Sequence, residues 1–161
     1  MIKAMLDTHL LISSSIAADN LMVKKRYKTF NHTADLGIEV YGEDQKQLFV
    51  NAGLALFDLI TDINKVEVKT SLSLTAEGID PEDLMVSWLR ELLYLQQVKE
   101  YLISKFEIHE ISDELLKATV KGEKFDSHRH ELIREIKAAT YHQIKVASEK
   151  GVWISRIVFD I

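Results

Sequence analysis

The 161-residue chain has no cysteine, which excludes disulfides, thiolate zinc sites and cysteine nucleophiles. One proline and six glycines are too few for a loop-rich scaffold and point to long regular elements. No run of about 18 apolar residues occurs, so no helical membrane span is expected. Basic residues are also scarce: 20 Lys and Arg stand against 25 Asp and Glu, for a net charge of −5 with neutral histidines. A domain that grips RNA or DNA by neutralising phosphates carries a basic surplus, so direct nucleic-acid binding, DNA included, is not expected. There is no Gly-rich phosphate loop, nucleophile elbow, two-histidine zinc helix or EF-hand loop. What is present is ordinary for a globular chain. Apolar residues make up 47% and charged residues 28%, enough for one core in one domain of this length.

Residues 1–22 read as an N-terminal extension, loosely ordered or belonging to an upstream start. The mildly apolar stretch from Leu10 to Ala18 is interrupted by three serines and preceded only by Lys3, which Asp7 counters. It makes a poor signal peptide. Met22 is an alternative initiator, and residues 23–161 read as a single domain. Within it, Gly37–Tyr41 alternates as a half-buried strand. Asp44 with Gln47 forms a capping box for an amphipathic helix over 44–61. Alternation over 65–76 predicts a strand. Asp80-Pro81-Glu82-Asp83 opens a second helix that runs to about residue 98, with an N-cap acid, a first-turn proline and acids at the positive end of the dipole. Further strands are expected over 104–110, 116–122, 135–148 and 152–161. The fold class is therefore α+β: a two-layer sandwich of two amphipathic helices on a largely antiparallel sheet.

Three places could carry chemistry. In Asn31–Gly37, Asp35 either caps a turn through its own backbone or offers a carboxylate beside a sharp bend. At the chain end, Asp160 adds a carboxylate next to that of Ile161. The pair is either a solvated strand end or part of an oxygen-rich site for a hard divalent cation, which Asp35 would complete if close in space. In Phe125–Glu131, His128 and His130 fall on one side if extended, as a two-imidazole site or as ordinary solvated loop. Downstream, Glu135, Lys137, Tyr141 and Gln143 share the odd face of the expected strand, and Ile136, Ala138, Thr140 and His142 the even one. That odd face is a wet sheet surface or a docking or catalytic surface.

The same segments carry a resemblance. His32-Thr33-Ala34-Asp35-Leu36-Gly37, Trp88-Leu89-Arg90-Glu91-Leu92-Leu93-Tyr94, Arg129-His130-Glu131 leading to Glu135–His142, and the terminal Phe159-Asp160-Ile161 resemble the archease family in order and spacing. The similarity runs from about Tyr27 to the last residue. It implies a cytoplasmic protein cofactor, not itself an enzyme, for the GTP-dependent RtcB-type tRNA-splicing ligase. The implied role is to speed guanylylation of that ligase and support multiple turnover, meeting tRNA only through it. The resemblance implies one oxygen-liganded divalent metal at Asp35, Asp160 and Ile161, with calcium the best-fitting ion and magnesium or manganese as alternatives. It also singles out His32, Glu91, His130, Glu135 and Lys137 as ligase-activating candidates. Two other readings predict different behaviour: a stand-alone metal-dependent phosphoester hydrolase, and a general chaperone or binding module.

Overall fold

The computed structural model describes residues 26–161; the extension and Met22 lie outside the described residues. Strand β1 (Tyr27–His32) turns through Thr33 and Ala34 into β2 (Asp35–Gly42). Helix α1 (Gln45–Ile60) follows. Its Asp44 cap accepts the Gln47 N–H at 2.7 Å, while the Gln47 side chain accepts the Glu43 N–H at 2.6 Å. The first bond satisfies a donor that the helix start leaves open, and the second ties the preceding residue to the first turn. Helix α2 (Pro81–Gln97) opens as its acids predict, with Asp80 accepting the Asp83 N–H at 2.8 Å.

The strands divide into two antiparallel sheets. One runs β1-β2-β8, where β8 is Val152–Asp160, and both β6 (Ala138–Ala139) and β7 (Lys145–Glu149) lie along the far edge of β8. The other has the order β3-β5-β4, from β3 (Thr70–Glu77), β5 (Leu115–Lys124) and β4 (Tyr101–Ile111). Helix α1 packs on β2 and on β4, so it is buried around most of its circumference, through Leu48, Phe49, Ala52, Leu56, Phe57 and Ile60. A helix apolar on nearly every side belongs in such a place. Trp88 of α2 ties the helices together, its indole N–H donating to the Phe49 carbonyl at 2.8 Å. The α+β class holds, with the sheet split in two around α1.

Two strand expectations are corrected. The alternation over 65–76 begins pairing only at Thr70, because Ile63–Lys65 winds as a 3-10 turn held by Asp62. The expected strand over 135–148 pairs only at its two ends. Ala138 pairs with Asp160 and Lys145 with Arg156, so three residues are looped out relative to an unbroken strand. Local side-chain bonds outcompete the ladder here. The Thr140 hydroxyl donates to the Val158 carbonyl at 2.7 Å and accepts the His142 N–H at 3.3 Å. The Ile144 N–H closes a turn onto Tyr141 at 3.3 Å, with Gln143 at φ 52°.

Candidate functional site

The core face of β2 is taken by Leu36, Ile38 and Val40, all buried. Alternation therefore sends Asp35, Gly37 and Glu39 to the outer face. Register then assembles the site. His32 of β1 lies directly opposite Asp35, and Leu36 opposite Phe159. The next step along β2 and β8 sets Asp35 beside Asp160, and residues directly opposite share a face. Ala138 flanks Asp160 on the other side, and the Lys137 N–H donates to the Asp160 carbonyl at 2.8 Å. Asp160 and Ile161 are exposed, and Asp35 is partly so.

His32 Nδ1 lies 3.7 Å from Asp35 Oδ2. It is buried and has no hydrogen-bond partner among the described residues. The His142 ring meets the His32 ring edge-on, with centroids 4.8 Å apart and planes at 66°. The turn between His32 and Asp35 holds Ala34 at φ 60°, a left-handed conformation that a residue with a Cβ adopts only under constraint. Gly37 is required by close approach: a Cβ there would overlap the Phe30 ring. Across that ring the Arg156 guanidinium stacks at 3.9 Å from the centroid.

Two carboxylates side by side repel unless a cation or donor set faces them. Among the described residues no three His, Asp or Glu side chains form a ready-made ligand cluster. The donor set is thus the two aspartates plus the carboxylate of Ile161. These are hard oxygen ligands, and they fit a hard divalent cation better than a thiophilic one.

The other candidates divide. Glu135 and Lys137 line a groove of about 660 Å³ with Gln96, Gln97 and Arg134, next to the Asp160 end. The Gln97 amide holds that segment by donating to the Ile136 and Lys137 carbonyls at 2.8 and 3.1 Å. Glu91 is exposed on α2. His130 is buried and serves the loop. Its Nδ1 accepts the Asp126 N–H at 2.9 Å, and its Nε2 lies 3.3 Å from Glu123 Oε2. Burial pushes the His130 pKa down, and the neighbouring Arg129 adds to that; the bond at Nδ1 also needs an unprotonated nitrogen there. His128 is exposed, so the two imidazoles do not face one another as a metal pair. Sequence reasoning missed His142, hidden among apolar even positions. It also missed Glu123, only 3% exposed. Glu123 is bound by Arg129, by the Glu67 N–H at 2.5 Å and by Lys69 at 3.5 Å.

Residues 27–161 match the Archease protein family. The chain is 40% identical over 141 residues to the protein archease of Methanosarcina mazei, covering 85% of this chain and 97% of that one. It is 36% identical over 141 residues to that of Pyrococcus furiosus, covering 85% and 99%. The solution structure of a Methanobacterium thermoautotrophicum protein superposes with TM-score 0.68 at 34% identity, over 85% of this chain and 99% of that one. The fold is also shared with a Thermotoga maritima archease described as a "possible chaperone", at TM-score 0.58 and 24% identity, over 83% and 96% of the two chains. No helix among the described residues is long and apolar enough to cross a membrane. The chain belongs to the archease family.

Proposed function

We propose that this archease is a protein cofactor of a GTP-dependent RtcB-type tRNA-splicing ligase, promoting guanylylation of the ligase and its multiple turnover in the cytoplasm. The observation that supports this reading most is the register that sets Asp35 beside Asp160 at the end of the sheet. Those two side chains and the Ile161 carboxylate would hold one divalent cation, calcium before magnesium or manganese. When bound, the cation supplies concentrated positive charge toward phosphate oxygens at the docking face.

The chain's own residues do the rest. The β1–β2 turn fixes Asp35, and pairing with Ala138 and the Lys137 N–H fixes Asp160, so the carboxylates are preorganised. Lys137 leaves the backbone beside Asp160 with an exposed ammonium, positioned to neutralise charge building on a leaving pyrophosphate. The net charge of −5 favours encounter with a basic, RNA-binding partner. tRNA is met through the ligase.

The test is transfer of labelled guanylate from GTP to the ligase, with and without the chain. Faster transfer with the wild type, and no acceleration by folded Asp35→Asn, is the expected result. Hydrolysis of phosphoesters by the chain alone would favour a stand-alone hydrolase. Equal acceleration by both proteins would leave a chaperone-like partner without a carboxylate mechanism.

A further inference from the structure

The three looped-out residues between β6 and β7 are held more firmly than an ordinary turn. At its start, the Thr140 hydroxyl donates to the Val158 carbonyl at 2.7 Å. Next to it, the Tyr141 hydroxyl donates to Asp83 Oδ1 at 2.5 Å, and the Arg90 guanidinium lies 4.9 Å from the Tyr141 ring centroid. At its end, the Val146 N–H donates to Glu82 Oε1 at 3.3 Å. Between these ties Gln143 sits at φ 52°. A non-glycine residue stays in that region only where its surroundings over-determine it, as functional sites often do. The Asp83–Tyr141 bond is strong enough to mark both groups. It holds the Asp83 carboxyl below the usual carboxylate range, helped by the Ile79 N–H, and raises the Tyr141 phenol.

From this turn the His142 ring reaches the site, meeting the His32 ring with centroids 4.8 Å apart. His32 in turn presents a buried, unpartnered Nδ1 at 3.7 Å from Asp35 Oδ2. Groups that contact a ligating carboxylate from behind set its orientation, and so the affinity of the site. We propose that the 141–144 turn is a brace for the carboxylate site: the Tyr141–Asp83 bond clasps it to helix α2, and His142 then holds His32 against Asp35. Tyr141 and His142 are positioning residues in this arrangement. The inference rests on the reading that Asp35 and Asp160 bind a divalent cation.

Calcium titration calorimetry on the full chain tests it, with unfolding of the calcium-free proteins in parallel. Tyr141→Phe, which removes only the hydroxyl, and His142→Ala are expected to weaken calcium binding roughly 10-fold. Their calcium-free Tm should stay near that of the wild type. His142→Phe keeps a ring against His32 and should restore most of the affinity. Wild-type affinity in both Tyr141→Phe and His142→Ala would overturn the brace while leaving the carboxylate site standing. Absence of binding of calcium, magnesium and manganese alike by the wild type would overturn both. Should Tyr141→Phe lower the Tm substantially, the comparison of His142→Ala with His142→Phe decides alone.

Discussion

Asp35 of β2 and Asp160 of β8 each lie one residue past the Leu36–Phe159 pair that seals the core below them, which brings the two carboxylates to the same end of the sheet. Two anions in that relation disfavour the cation-free protein. Like charges directly opposite on a sheet cost a few tenths to ~1 kcal/mol. Asp35→Asn should therefore stabilise the cation-free chain by about 0.5 kcal/mol in urea unfolding. It should also abolish any rise in Tm on adding calcium. Loss of stability in the absence of calcium would show that Asp35 is a turn cap first.

The turn itself makes a second prediction. Ala34 at φ 60° carries a left-handed penalty of about 1–2 kcal/mol, and glycine there relieves it while costing ~0.5–1 kcal/mol of unfolded-chain entropy. Ala34→Gly should thus raise stability by a few tenths to about 1 kcal/mol. The same change should loosen Asp35 and weaken calcium binding, a trade visible by combining unfolding with titration.

Gly37 supports the sheet end from below the Phe30 ring. Gly37→Ala should cost about 1–3 kcal/mol, as overpacking does. Shrinking Phe30 to alanine in the same chain should recover much of that loss. A double-mutant cycle reads the coupling directly, and strict additivity would mean the ring moves aside freely.

His130 makes stability pH-dependent in a known direction. Unfolded, it titrates near its ordinary 6.5; folded, its pKa is lower. As pH falls below about 6.5 the unfolded chain takes up a proton that the native one refuses. Its contribution therefore weakens stability progressively on acidification, levelling off below the native pKa. Unfolding measured from pH 8 to pH 5 should show this slope, reduced in His130→Gln. An unchanged slope in the variant would show that His130 is not its source.

Much of the architecture was legible from local signals. The acids and proline at 80–83 announce α2, and the Asp44–Gln47 box announces α1, because caps act within a few residues. Asp35, Asp160 and Ile161 were legible as hard donors, but their adjacency is a property of strand register, which a single sequence does not reveal. His142 was invisible for a related reason. Its even position reads as core-facing until Thr140 and Tyr141 divert the backbone and loop three residues out. Glu123 breaks the alternation of β5 and becomes a buried carboxylate only because Arg129, Lys69 and the Glu67 N–H converge on it from distant segments.

The most direct measurement is multiple-turnover RNA ligation by a limiting RtcB-type ligase with GTP and a divalent cation, adding wild-type chain or folded Asp35→Asn. Many rounds of ligation with the wild type and a return to the unassisted level with the variant are expected. Equal support from both proteins would contradict the carboxylate mechanism.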